Sequence, residues 1–198
     1  MKQELVSPDF FDRSPAIVAR DLLGMHLCRK LGTSLLRSRI TETEAYLAEG
    51  DAASHSAVGV RPRNRWMFGP PGSLYVFTIH ARFCLNAVTE SEGIGSAVLI
   101  RSLEPLEGIE LMKQRRQREK TRELTCGPAR LCEAYGIDLS HNGLLLYQRK
   151  QLWLESPNVS KVQPTESVEA TPRIGLSKAK ELPLRFILKG NSFLSRSG

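Results

Sequence analysis

The stretch "SRITETEAYLAEGDAASHS", residues 38–56, constrains the fold of this chain more than any other. It begins as a strand, and side chains along a strand alternate faces with period two. Glu42, Glu44 and Tyr46 therefore share one face, and Thr41, Thr43, Ala45 and Leu47 share the other. Neither face is clearly apolar, so both are expected to be partly covered. A covered carboxylate is costly unless it is paired or hydrogen-bonded. The chain has an excess of cations, with 28 Lys and Arg against 21 Asp and Glu, a formal net charge of +7. Two readings stay open on the residues alone. In one the glutamates are structural, each held by an arginine; in the other, one of them is a general base in a pocket.

Around this strand the chain reads as one domain over residues 1–198. Ser14-Pro15 opens a helix carrying Ile17, Val18, Leu22 and Leu23, which Gly24 stops. "MHLCRKL" and "SLLRSRITETEAYLA" read as strands about a Gly32 turn, and residues 48–73 as a long loop. "SLYVFTIH", "ARFCLNAVT" and "SAVLIRSLEP" are further strands, and "PLEGIELMKQRRQREKT" is a helix with a charged, solvated end. "CGPARLCEAYGI" is a short helix between Pro128 and Gly136, "NGLLLYQRKQLWLE" a hairpin, and "PLRFILKG" a last strand; Asn191–Ser197 reads as a tail. The sum is a mixed α/β (α+β) domain with its strands mostly paired antiparallel.

Cys28, Cys84, Cys126 and Cys132 form no C-x-x-C pair, so buried free thiols in a reducing compartment are expected. With no signal peptide and no apolar run of membrane-spanning length, the protein is expected in the cytoplasm, at the nucleoid, or in a nucleus. The positive charge favours an anionic partner, nucleic acid first. Beyond Tyr46 come His55, a loop with Arg61, Arg63 and Arg65, and a strand with Tyr75 and Phe77. Aromatic faces, phosphate-holding cations and a carboxylate are the parts that hold a base flipped out of a duplex and activate water against it.

Taken together, "RITETEAYLAEGDAASHS", "RPRNRWMFGPPGSLYVF", "FCLN", "AVLIRSLEPLEGIELM", "CGPARLC" and "PLRF" resemble the alkyladenine DNA glycosylases, also called methylpurine or 3-methyladenine DNA glycosylases. The resemblance runs from about Phe10 to Leu194 and implies a single α+β domain around a curved, mostly antiparallel sheet with flanking helices. It implies a monomer that binds duplex DNA containing damaged purines such as 3-methyladenine, 7-methylguanine, hypoxanthine and ethenoadenine. It implies hydrolysis of the N-glycosidic bond by water, without a Schiff-base lysine and without a metal or organic cofactor.

By the same resemblance Glu44 activates the water, and Arg101 and the backbone carbonyl of Ile174 hold it. Tyr46 and His55 line the base pocket, with the His55 backbone N–H reading the purine 6-position. Phe77 is the opposite aromatic, and Asn86 clashes with the 2-amino group of guanine. Arg61, Arg63 and Arg65 flank the pocket as phosphate contacts, and Glu42 is assigned a structural pairing with an arginine. The chain departs from the family pattern at two places. Phe77 replaces a tyrosine, and His80 replaces the tyrosine wedge in a turn one residue shorter, where Arg82 is expected to share the task. Two rival readings are a non-catalytic nucleic-acid-binding module, similar to the C-terminal domain of methionyl-tRNA formyltransferases, and a metal-dependent nuclease using Glu42, Glu44, Asp51 and His55.

Overall fold

A computed structural model describes residues 4–157 and 167–196. Helix α1, Pro15–Asp21, has Pro15 at its first position and buries Val18 and Ala19. Strands β1, His26–Leu31, and β2, Ser34–Tyr46, form a hairpin about Gly32, whose φ of +58° suits glycine. Strands β3, Leu74–Ile79, and β4, Arg82–Thr89, form a second hairpin. Strand β5, Ser96–Glu107, reaches farther than the sequence suggests and absorbs the "PLE" assigned to the next helix. Helices α2, Ile109–Arg116, α3, Arg122–Thr125, and α4, Pro128–Tyr135, follow. Strands β6, Leu152–Glu155, β7, Val168–Thr171, and β8, Arg185–Leu188, complete the described elements.

All eight strands join one antiparallel sheet in the order β3-β4-β5-β2-β1-β6, with β8 on β2 and β7 on β8. The thirteen-residue β2 is its spine. Along one edge β2 pairs first with β1 and then, from Glu42 to Glu44, with β8. Along the other it pairs with β5 through register shifts at Ile40/Glu42 and Glu42/Thr43. Such bulges bend a strand and re-aim side chains, and together with the change of partner they curl the sheet.

The two sheet faces have separate roles. Ala45, Leu74, Val76, Leu85, Ala87, Val98 and Ile100 belong to the main core, with α1 and α4 packed against that face. Thr43 faces the same way and donates its hydroxyl to the Ala19 carbonyl of α1 at 2.8 Å. The opposite face carries a smaller cluster of Met67, Tyr75, Val88 and Ala97, with Tyr46, Phe68 and Phe77 beside it. Met67 and Phe68 lie in the 48–73 loop, which therefore roofs this second face. Both faces of β2 are covered, as its sequence suggests: Thr41 to Ala45 are all buried.

Three expectations need correction. The "NGLLLYQRKQLWLE" stretch is not a hairpin: only Leu152–Glu155 is a strand, and it pairs with β1. Strand β7 is an element the sequence reading passes over. The C-terminal residues up to Arg196 are not a loose tail, because Leu194 is buried and Thr41 donates its hydroxyl to the Phe193 carbonyl at 2.6 Å; Ser197 lies outside the described residues. The thiols are as expected, all four free and buried.

The turn from β5 into α2 depends on Gly108. Its φ is +78°, and a Cβ there would meet the Leu35 carbonyl oxygen at 2.6 Å and collide with Leu36. Gly108→Ala is therefore expected to destabilise the fold by at least about 1–3 kcal/mol, read as a lower urea midpoint with an unchanged m-value.

Candidate active site

Directly paired residues of a sheet share a face, so the register lays out the site. Tyr75 pairs with Asn86, Asn86 with Leu99, Leu99 with Glu44, and Glu44 with Arg185. This row crosses five strands on the face opposite the main core. Phe77 and Cys84 lie one pleat along from Tyr75 and Asn86, and Tyr46 one pleat along from Glu44. Arg101 sits at the bulge of β5, between the partners of Glu42 and Thr43. The extra residue turns its guanidinium between the two glutamates.

In the resulting network both glutamates and both arginines are buried. Arg101 donates from Nε to Glu42 Oε1 at 2.9 Å and from Nη1 to Glu44 Oε2 at 3.1 Å. Arg185 donates from Nε to Glu42 Oε1 at 2.8 Å. Ser195 adds its backbone N–H to Glu42 Oε2 at 2.6 Å and its hydroxyl to Glu42 Oε1 at 2.7 Å. Glu42 thus has the structural arginine pairing expected of it. Burial alone would oppose ionising it, but Arg101, the Ser195 N–H and Arg185 outweigh burial and hold its carboxyl below the ordinary value of 4.5. Burial likewise works against the Arg101 charge, and Glu44 and Glu42 overcome it and keep the guanidinium firmly cationic.

Glu44 has different company. Its Oε1 accepts from the backbone N–H of Ile174 at 2.8 Å, and its Oε2 from the Tyr46 hydroxyl at 3.0 Å as well as from Arg101. The contact from Ile174 to the carboxylate is made by its N–H, whereas the sequence reading assigned a role to its carbonyl. Burial, then the charge of Glu44, push the Tyr46 phenol well above its ordinary range and keep it a donor.

Beside the network opens a cavity of about 290 Å³. Tyr46, His55, Phe77, Asn86, Arg101 and Ile174, all expected at the site, line it. Glu44 lies fully buried behind three of them, Tyr46, Arg101 and Ile174. Asn86 is fixed by a bond from its amide nitrogen to the Tyr75 carbonyl at 2.9 Å. The rings of His55 and Phe77 touch edge to face, 4.5 Å apart at 79°, so they form one wall and a base cannot stack between them. Tyr75 supports that wall with its hydroxyl 2.8 Å from His55 Nδ1. Burial, and then Arg63, lower the pKa of His55, leaving a neutral imidazole at pH 7.

Several residues that hold this geometry escape sequence reasoning. Arg173 makes a buried two-pronged ion pair with Asp51 at 2.6 and 2.7 Å, donates to the Ala45 carbonyl at 2.9 Å and lies 4.6 Å over the Tyr46 ring. Asp51 in turn accepts the Leu47 and Ala53 N–H groups. The pair fastens the start of the roofing loop to the segment carrying Ile174. Asn64 fastens its middle, donating to the carbonyls of His55 and Gly59 and accepting the Arg61 N–H. Asp51 and Asn64 are turn-type residues in a polar loop, a weak local signal; Arg185 lies in "PLRF" without a role read for it, and nothing in the sequence marks Arg173 or Ser195.

The cationic residues are distributed unevenly. Arg63 and Arg65 line an open cavity of about 680 Å³ next to His55, Tyr75 and Phe77, which Trp66, Ile79 and Leu139 also line. Arg61 is exposed but is not part of that lining. His80 is exposed at the tip of the β3–β4 hairpin, where it and Ala81 have φ of +48° and +59°, and Arg82 is exposed just after them. His80 and Arg82 line a third cavity, of about 610 Å³. Ile79, half exposed and touching the first two cavities, is an apolar tip residue that the sequence reading overlooked. The residues of the metal-nuclease reading do not converge: Glu42 and Glu44 bond Arg101, Asp51 bonds Arg173, and no cluster among the described residues has the makings of a metal site. Among the described residues no helix is long and apolar enough to cross a membrane.

Glu42 also sets a pH dependence. Its folded-state pKa is depressed, so the stability it contributes is present above about pH 4.5 and is lost as pH falls through the folded value. Glu42→Gln is expected to lower stability near pH 7 by about 3–5 kcal/mol, leaving Arg185 and Arg101 less compensated. Its urea midpoint should also fall less steeply than that of the unaltered protein as pH drops below 4.5.

Comparison with known proteins gives one consistent answer. The chain is 49% identical over 193 residues to an inferred 3-methyladenine DNA glycosylase of Rhodopirellula baltica, covering 94% of this chain and 81% of that one. It is 44% identical over 206 residues to the mouse DNA-3-methyladenine glycosylase, covering 96% of this chain and 61% of the mouse protein. Against the human protein of the same name identity is 43% over 203 residues, with 94% and 66% covered. The family model for methylpurine-DNA glycosylases matches residues 9–192, and the chain belongs to that family.

Proposed function

We propose that this protein is a monofunctional DNA glycosylase of base excision repair. It takes an alkylated or deaminated purine, flipped from duplex DNA, into the cavity between Tyr46 and the His55–Phe77 wall. It hydrolyses the N-glycosidic bond with water activated by Glu44. The observation that carries this reading is the carboxylate of Glu44, shared with Arg101 at the edge of an aromatic-lined cavity.

The chemistry needs these groups. Breaking the sugar–base bond builds positive charge at C1′, which a carboxylate stabilises while taking a proton from the attacking water. An ionised carboxylate has about four acceptor directions. Arg101, Tyr46 and the Ile174 N–H occupy three around Glu44, so one is left for water. His55 opens a short 3-10 helix, His55–Val58, so its backbone N–H is a leading amide without a partner in the helix, free to read a base edge. A cationic purine such as 3-methyladenine or 7-methylguanine would gain about 0.5–2 kcal/mol against aromatic faces. The tip residues Ile79 and His80 would fill the gap left in the duplex, apolar side chains being the usual wedges. Arg63 and Arg65 would hold phosphates. The protein acts on DNA as a monomer in the compartment that holds the chromosome.

The test is a duplex carrying one hypoxanthine opposite thymine, incubated in EDTA and then treated with hot alkali. Strand cleavage only after alkali is expected, as is a loss of about 10²–10⁴-fold in single-turnover rate for Glu44→Gln with DNA binding retained. A variant that keeps the full rate would remove Glu44 from the chemistry. Binding without base release from either hypoxanthine or 7-methylguanine duplexes would instead make the protein a non-catalytic binder. Neutral hypoxanthine needs a proton as it leaves and 7-methylguanine does not. Excision of hypoxanthine should therefore fall more steeply as pH rises; coincident pH–rate profiles for the two bases would contradict this.

A further inference from the structure

Another cavity adjoins the candidate active site, and its chemistry is different. It measures about 290 Å³ and is lined by Arg82, Arg101, Arg130, Ser195 and Arg196, together with the first turn of α4 from Gly127 and the backbone region of Ile174. Four of its ten lining residues are arginines and none is acidic. This contrasts with the groove on the hairpin's flank, where Glu133 and Asp138 offset Arg82. Arg101 and Ile174 belong to both the cationic cavity and the aromatic-lined one, so the two meet at Glu44's own partners.

The cationic cavity exists because the C-terminus is fastened. Ser195 bonds Glu42 twice and accepts from Arg101 Nη2 at 3.3 Å, and the Arg196 carbonyl accepts from Arg185 Nη2 at 2.9 Å. These bonds hold the Arg196 backbone while its side chain stays exposed. Arg82 and Arg130 are exposed as well. Three exposed guanidiniums thus gather with the buried Arg101 round a cavity that has no acidic lining residue, so an anion there would meet only cations. A guanidinium fork matches the oxygens of a phosphate, and the leading amides of α4 have no partner within the helix.

We propose that Arg82, Arg130 and Arg196 form a subsite for one backbone phosphate beside the flipped nucleotide, completed by the C-terminal segment. The proposal rests on the glycosylase reading for the identity of the strand, and not for the affinity for phosphate. Seated there, the phosphodiester would fix the sugar against Arg101 and Glu44, which is the positioning a hydrolysis without covalent attachment to the protein requires.

The test is a coupling measurement on the intact protein. Dissociation constants are measured from about 50 to 200 mM salt for a duplex with a tetrahydrofuran abasic residue, and for duplexes in which each nearby phosphate in turn is replaced by a neutral methylphosphonate. Arg130→Gln and Arg196→Gln are each expected to bind several-fold more weakly and to lower the salt slope by about 1. At one phosphate position the methylphosphonate should weaken the unaltered protein, and weaken each of these variants by clearly less. Arg118→Gln, outside the cavity lining, should keep the slope and the sensitivity. Far-UV circular dichroism confirms folding, and each of the two variants tests the subsite without the other. Slopes equal to that of Arg118→Gln, with losses that add at every position, would overturn the proposal. Base release from a 7-methylguanine duplex is measured alongside. Coupling without base release would sink the glycosylase reading and leave the subsite standing; base release without coupling would sink the subsite alone.

Discussion

One guanidinium between two buried carboxylates organises this molecule. Arg101 reaches Glu42 and Glu44 at once, and both glutamates are wholly removed from solvent. A buried carboxylate without such a partner is costly. The pairing works because Arg185 carries much of the Glu42 charge, so two arginines balance two glutamates. The ties run from β5 to β2, from β2 to β8, and from β2 to Ser195 in the C-terminal segment. A buried ionic cluster is weak evidence for added stability, since well-packed apolar groups often do as well. Its value here lies in position, because it fixes the glutamates relative to the cavity within the spacing of a strand pleat.

Separating the sheet's faces allows this arrangement. The face toward α1 and α4 is a conventional apolar core, and it stabilises the strands without help from the site. The other face can then carry polar residues, roofed by a loop with its own fastenings at Asp51–Arg173 and Asn64. The bulge at Arg101 is the junction of the two requirements. A regular β5 would have given Glu42 a direct partner on each step, with no side chain inserted between the glutamates.

Local pattern made much of this legible. The period of two along β2 is enough by itself to place Glu42, Glu44 and Tyr46 on one face. Pro128 and Gly136 bracket α4 as their backbone preferences dictate, Gly136 taking a φ of +65°. The apparent hairpin near residue 150 fails for a different reason: alternation shows that a segment is a strand but not which strand it pairs with, and Leu152–Glu155 pairs with a strand more than a hundred residues earlier. The role of the C-terminus is invisible for the same reason. Ser195 matters because of a carboxylate 153 positions away, and a polar, serine-rich ending carries no trace of that. Resemblance to a family singled out Tyr46, His55, Phe77 and Asn86, which line one cavity, yet it could not indicate that His55 and Phe77 share a wall.

Glu44 is the residue where structural and chemical demands differ. Glu42 is saturated, with two arginines and two serine donors, and its charge is fully compensated inside the fold. Glu44 has one arginine, one phenol and one amide, and all three belong to residues lining the cavity. Every donor to Glu44 thus also belongs to the lining of the space where a substrate would sit. Were Arg185 absent, Arg101 would be drawn toward Glu42, and Glu44 would lose its cation although nothing in the cavity had changed. Glu42 and its second arginine are therefore what leave Arg101 available to Glu44, the glutamate proposed to activate water, which is why two carboxylates stand side by side on a strand in a chain with an excess of positive charge.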